Sequence, residues 1–247
     1  MYKRQAQTCE KIYPDYKVFQ VKNTKLFKGI VFDGNQKDKY TIECKEVEKN
    51  DTQIIFETTV LSEGPKLPTY HYKAIVILKH KRHPDSYRDN APKFQHQTSG
   101  TYSPTDGAIL YQDGSLFHDK YFRGIEQILD CTENQIVLSC KAPEVPLSEQ
   151  GQFPVISVNT FFTDIQYQGM VVWVQKYKDG AKSLPLQTDS AILYQDIHFG
   201  KELLVNVKIE EASDFKMVAT CTVYDKEGTI YMLTEGATVT VSKGLEW

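Results

Sequence analysis

From residue 16 onward apolar and polar side chains alternate, the period of a β-strand with one face buried. Phe19 and Val21 alternate with polar neighbours. Residues 40–47 and 53–60 are rich in Ile, Val, Thr and Phe and flank an Asn50-Asp51 turn, and residues 70–79 form a further strand-like run. The pattern predicts an antiparallel meander of long strands. Residues 80–107 interrupt it. They hold almost no aliphatic side chains and many Pro, Gly, Ser, Asp and Asn, the composition of a linker or extended connection. Strand-like runs resume at 124–129 and 135–141, and residues 143–152 read as loop.

The period then changes. Over residues 165–177, Ile165, Tyr167, Met170, Val171, Val172, Trp173 and Val174 leave few polar faces, so a helix here must be buried nearly all round. Thr163 or Asp164 is expected to cap it, because short polar side chains accept from the free N–H groups of a first turn. Four strands follow at 186–199, 201–209, 215–224 and 229–241, with turns at Asp179-Gly180, Gly200, 211–213 and Glu227-Gly228. Residues 6–12 read as the tail of an earlier helix. A helix followed by four strands therefore occurs twice, with 25–32 aligned to 190–197 and the Glu63-Gly64 turn aligned to Glu227-Gly228. The repeat is one of architecture, with little identity. An identical hexapeptide, Ala-Ile-Leu-Tyr-Gln-Asp at 108–113 and 191–196, falls outside this offset and reads as chance.

Composition narrows the function classes. In 247 residues, 40% hydrophobic and 25% charged, a packed core is within ordinary bounds. The 29 basic and 32 acidic residues are well mixed at a net charge of −3, which excludes the basic stripe of a nucleic-acid binder. No polybasic or amphipathic segment suggests a membrane surface, and the apolar runs are too short to span a bilayer. The five cysteines, Cys9, Cys44, Cys131, Cys140 and Cys221, are odd in number and lack C-x-x-C spacing. They read as reduced, mostly buried thiols rather than a disulfide framework or zinc site, and with no secretory leader in view a cytoplasmic location is expected. The first five residues match the translated end of a sequencing-library adapter and read as a non-native scar. The expected division is 1–5 scar, 6–80 first unit, 81–107 linker and 108–247 second unit.

Three segments carry a resemblance. Residues 13–34 are similar to the stretch after the first helix of a known family. Residues 116–125 resemble its His-Gly-Pro-x-Phe-Gln-Gly-Ile run. Residues 164–185 resemble the Asp-x-x-x-Gln start of its second helix with the downstream Ser-Leu-Pro. The family is that of the dehydratase domains of polyketide and polyunsaturated-fatty-acid synthases. The resemblance implies an α+β double hotdog, two antiparallel sheets each wrapping a helix, with the first hotdog incomplete here. It implies removal of water from a β-hydroxyacyl chain on an acyl carrier protein to give a trans-enoyl product. The phosphopantetheine arm of that partner would be the sole prosthetic group, no cofactor would be needed, and a homodimer is left open.

Such a reaction needs a base for the α-proton and an acid for the leaving hydroxyl, on opposite sides of one substrate. By resemblance Asp164 is the acid and Gln168, four residues on and hence on the same helix face, its support. The plainer alternative is a helix cap and a polar helix residue. His118, Tyr121, Phe122, Gly124, Leu184 and Pro185 match positions that line the substrate in the family, though Tyr121 and Phe122 also suit plain core packing. Asp119 and Lys120 stand where the family has Gly-Pro, and Arg123 where it has Gln, which puts the turn in question. The base motif, His-x-x-x-Gly-x-x-x-x-Pro, is expected upstream of Ala6, so the chain by itself is expected to be inactive. Of the six histidines only the run from His96 to Pro104 comes near it, one residue short. His71 and His198 read as strand residues, and His80 and His83 as linker residues. Two alternatives stay open: a non-catalytic double hotdog that shapes an acyl chain, and a hotdog thioesterase.

Overall fold

A computed structural model describes residues 3–30, 39–64, 66–81, 91–151 and 154–245. In chain order the elements are α1 (Lys3–Ile12), β1 (Tyr16–Leu26), β2 (Tyr40–Lys49), β3 (Gln53–Ser62), β4 (Thr69–His80), β5 (Thr105–Asp106), α2 (Ala108–Gln112), β6 (Ile125–Cys131), β7 (Gln135–Lys141), α3 (Thr160–Tyr177), β8 (Pro185–Leu193), β9 (Glu202–Ala212), β10 (Lys216–Tyr224) and β11 (Ile230–Thr240). His83 and the last two residues of the aligned segment, 31 and 32, lie outside the described residues.

All strands join one 11-stranded sheet in the order β2-β3-β4-β1-β8-β11-β10-β9-β7-β6-β5. The seam is the antiparallel β1–β8 pair, where Val21 faces Ala191 and Lys22 faces Ser190. Outward from β1 come β4, β3 and β2; outward from β8 come β11, β10 and β9. The helix-plus-four-strand repeat of the sequence is thus a repeat of the sheet about that seam. Across it Gln20 Nε2 donates to Ser190 Oγ (2.9 Å) and Lys17 pairs with Asp196 (3.1 Å).

α3 is buried on nearly every face, as its composition demands. Phe162, Ile165, Met170 and Val174 are fully enclosed and share one core with Leu138, Val205, Val207 and Ala219. The helix starts four residues earlier than the expected cap at Asp164. Asn159 caps it, its Oδ1 accepting from Phe162 N (3.3 Å) while its Nδ2 donates to Ile197 O (3.1 Å). Thr163 and Asp164 therefore lie inside the helix. The Asn159 amide is anchored at both of its ends, whereas the Asp164 carboxylate is taken by Gln168 and His118.

α1 lays Ala6 and Cys9 on Val18, Val21, Ile54, Phe56, Ala74 and Val76. It begins at Lys3, and the fully buried Gln5 donates to Thr58 Oγ1 (3.0 Å), so the division drawn after Gln5 falls inside a helix.

Two differences from the expected strands have local causes. β8 ends at Leu193 rather than 199, because Tyr194 N and Gln195 N both turn to Tyr231 O (2.9 and 3.1 Å) and the chain peels away; His198 consequently sits in a loop, while His80 closes β4. The connection of residues 91–106 is no free tether. Lys93 bridges to Thr229, Phe94 N donates to Gly228 O (2.8 Å), and Thr105–Asp106 pair with β6. The fully buried Asp130 anchors this strap, accepting from Ser99 Oγ (2.6 Å), Ser99 N (3.1 Å) and Gln135 Nε2 (2.9 Å). A buried carboxylate must find such donors, and the strap carries two of them. Among the described residues no helix is long and apolar enough to cross a membrane.

Candidate functional site

The α3 helix presents Asp164 and Gln168 one turn apart at its N-terminal end. Gln168 is sealed at 0% exposure, whereas the Asp164 side chain is 31% exposed. The sealed amide works at both ends. Its Nε2 donates to Asp164 Oδ2 (3.0 Å) and to Phe122 O (2.8 Å), and its Oε1 accepts from Tyr111 OH (2.8 Å). The Tyr111 oxygen in turn accepts from Ile125 N (3.2 Å). Burial pushes the Tyr111 phenol up to about 12, so it remains a donor to Gln168 at ordinary pH. This chain fixes the amide's orientation and thereby the carboxylate's.

A second donor reaches the same oxygen. His118 Nε2 lies 3.1 Å from Asp164 Oδ2. Its Nδ1 is buried with no hydrogen-bond partner, and a proton there would be an orphaned donor, so the neutral ring is held as the Nε2–H tautomer. The ring stacks on Phe117 (4.4 Å between centroids) and approaches Phe122, which meets Phe161 (4.9 Å), itself against Phe199 (6.1 Å). One flank of the carboxylate is therefore aromatic.

Opposing forces set the charge of Asp164. Burial, the largest single influence, pushes its carboxyl up; the bonds from His118 and Gln168 together outweigh it and hold the group below its ordinary value. Both donors converge on Oδ2, and among the described residues no hydrogen bond reaches Oδ1. When the acid is protonated, Oδ2 is the accepting carbonyl oxygen and Oδ1 the oxygen that bears the proton.

The turn with Asp119-Lys120 in place of Gly-Pro is built without glycine. Asp119 has φ −78°, a value open to any residue, and its carboxylate accepts from Lys120 N (2.6 Å), capping a short 3-10 turn at Lys120–Phe122. Arg123 Nε closes the turn from the other side by donating to His118 O (2.9 Å). Phe122 O is the atom taken by Gln168. The substituted residues thus hold His118 and Phe122 at the carboxylate.

The remaining sequence-derived positions divide. His118, Phe122, Asp164 and Gln168 come together. Tyr121 lies beneath the Lys120 ammonium (4.4 Å from the ring centre) with no hydrogen bond to the cluster. Gly124 is buried, and a Cβ there would strike the Ile165 side chain and approach Lys141 O (2.9 Å), so its smallness serves packing. Leu184 precedes β8 and Pro185 begins it, four and three residues before Thr188, whose Oγ1 meets Tyr167 OH (2.6 Å). No hydrogen bond ties either to Asp164. His96 lies on the strap, where its Nδ1 meets Tyr224 OH (2.6 Å) at the end of β10, with no hydrogen bond to Asp164. Tyr111 is the member that sequence reasoning missed. Its one signal was the repeated hexapeptide, which pointed to nothing, and the separation of 57 residues from Gln168 conceals the contact.

No family model matches the chain. Over 209 residues it is 24% identical to a component of the polyunsaturated fatty acid synthase of a Thraustochytrium species, a match covering 84% of this chain and 7% of that protein. The chain thus spans a small fraction of its curated relative. Among solved structures, the dehydratase domain from the CurF module of curacin polyketide synthase superposes with a TM-score of 0.72 at 15% identity, over 97% of this chain and 82% of that one. A trans-AT polyketide synthase dehydratase domain from Brevibacillus brevis gives 0.69 at 16%, over 99% and 84%. The chain has the hotdog fold of polyketide synthase dehydratase domains, and its sequence is similar to part of a polyunsaturated-fatty-acid synthase, the resemblance read from its three segments.

Proposed function

We propose that this chain is the dehydratase region of a polyketide or polyunsaturated-fatty-acid synthase, a double hotdog that removes water from a β-hydroxyacyl group carried on the phosphopantetheine of an acyl carrier protein. The observation that carries the reading is the oriented carboxylate: Asp164 at the open end of a buried helix, with Gln168 and His118 on one oxygen and the other oxygen left to substrate. Asp164 Oδ1 protonates the departing β-hydroxyl. Gln168, braced by Tyr111, aims it. His118, Phe122 and Phe161 wall the acyl chain and thin out water, which strengthens every charge interaction at the reacting centre. The α-proton goes to a histidine of the family's His-x-x-x-Gly-x-x-x-x-Pro motif, of which these 247 residues hold no copy. The chemistry calls for no cofactor, and the other domains of the synthase are its natural partners.

The test is dehydration of a β-hydroxyacyl thioester by the synthase region that contains this chain together with the motif. Asp164→Asn should lower the rate of enoyl formation by about 100-fold or more, with far-ultraviolet circular dichroism unchanged. An unaltered rate would overturn the assignment. A second reading, a non-catalytic hotdog that shapes the acyl chain, is favoured by the low-lying carboxyl of Asp164: a general acid works best when its proton is retained near working pH. Under that reading the same region binds a β-hydroxyacyl carrier protein and returns it unchanged.

A further inference from the structure

Away from the carboxylate, two of the five thiols face each other. Cys9 on α1 is fully buried, and its Sγ lies 3.9 Å from Sγ of Cys44, which is half-buried on β2. Contacts on both sides of the pair set the spacing. Toward the start of α1, Gln5 Nε2 donates to Thr58 Oγ1 (3.0 Å), and Thr58 is the residue directly opposite Cys44 in the β2–β3 ladder. Toward its end, Tyr13 OH donates to Glu46 Oε2 (2.6 Å), two residues along β2 from Cys44, and Lys49 Nζ sits 4.4 Å from the centre of the Tyr13 ring. The helix and the strand are thus clamped at either end of the cysteine pair, and sulfur atoms so held need approach each other by only about 2 Å to bond.

We infer that Cys9 and Cys44 form a redox-closable pair, a peroxide-responsive disulfide site that ties α1 to β2. The partly exposed Cys44 is the entry point. Its thiol is drawn below the ordinary value chiefly by the hydrogen bond from Cys9, against the opposing effect of burial, while the same bond and burial raise Cys9. Cys44 gives up its proton, the thiolate attacks an oxygen of hydrogen peroxide and the O–O bond breaks; the Cys44 sulfenic acid forms, and the departing hydroxide takes up the proton the thiol released and leaves as water. Cys9 sulfur then attacks Cys44 sulfur, the S–O bond breaks, and hydroxide leaves with the Cys9 proton as a second water. Two thiols are oxidised and one peroxide is reduced. Cys140 and Cys221, fully buried and raised by that burial, are built-in controls.

The experiment treats the folded chain with hydrogen peroxide and maps thiols by peptide mass spectrometry without reductant. A Cys9–Cys44 cross-linked peptide, lighter by two hydrogens than its parts and reversed by dithiothreitol, is expected while Cys140 and Cys221 stay reduced. The oxidised form should melt about 5–10 °C higher than the reduced form, and Cys44→Ser should abolish both effects while leaving the reduced midpoint nearly unmoved. Conversion of Cys44 to sulfinic acid with Cys9 still a thiol would overturn the inference. So would pairing scrambled among all five cysteines, or a cross-link with no rise in the melting temperature.

Discussion

At the residue scale, the carboxylate of Asp164 is the point where burial and hydrogen bonding contend. Two N–H donors decide the contest, and one of them, His118, belongs to a turn whose sequence departs from the pattern it resembles. Removing that donor leaves burial as the dominant influence. In a His118→Phe chain, which keeps a ring to stack on Phe117, the Asp164 carboxyl should titrate at higher pH than in the parent, followed by ¹³C NMR of the labelled side chain. An unchanged midpoint would mean that Gln168 alone governs the group. The sign for stability follows from the same shift: a depressed carboxyl stabilises the fold above its unfolded value of about 3.9, and the contribution fades as pH falls through the folded value. Asp164 and Gln168 were legible in the sequence because helical spacing puts i and i+4 on one face. His118 and Tyr111 as their partners were not, because no local pattern encodes a contact across 46 or 57 residues.

At the element scale, the strap of residues 91–106 has one buried acid among its anchors. Burial raises the carboxyl of Asp130, but the bonds from Ser99 and Gln135 prevail and hold it low. The part of the strap's grip that Asp130 supplies is therefore complete above the unfolded value and is lost as pH falls through the folded one. Asp130→Asn should cost about 2–4 kcal/mol at neutral pH, since it weakens charge-assisted bonds at a site with no exposure, and the difference from the parent should vanish in acid. Urea denaturation of both proteins in a series from pH 7 into acid measures the cost and its disappearance. The strands on either side were readable from their alternation, as was the body of α3 from its apolar run. The strap was not, because a chain with so few aliphatic residues reads as a tether even where Lys93, Phe94 and Ser99 are held by partners far along the chain. The repeated hexapeptide makes the same point more sharply. At 108–112 it forms α2, and at 191–193 the same residues continue β8. Neighbours decided its form, since propensity is only a weak prior over so short a run.

At the scale of the whole molecule, a single sheet runs through both helix-bearing halves, joined at the β1–β8 ladder and by side chains beside it, among them Gln20 with Ser190, Lys17 with Asp196 and Phe19 with Tyr194. The sequence announced two halves through their shared order of elements. It did not announce that their first strands would lie side by side, because the strands of either half alternate in the same way whether they meet each other or solvent. The sheet ends differently at its two sides. At one it tapers to the two residues of β5; at the other stands β2, ten residues long.

Among the described residues nothing pairs with the outer edge of β2, and a strand of that length is a template on which another chain can grow. Two devices blunt it. The register slips between Glu46 and Glu48, and Glu43, Lys45, Glu48 and Lys49 stand exposed along it, the Lys49 ammonium lying over the Tyr13 ring. Replacing those four with threonine, which suits a strand and carries no charge, should leave the monomer's circular dichroism intact yet turn its solutions turbid within hours at concentrations where the parent stays clear, as light scattering would record. The charges of β2 touch no candidate site residue. Their work is to keep one copy of this chain from being read as the next strand of another.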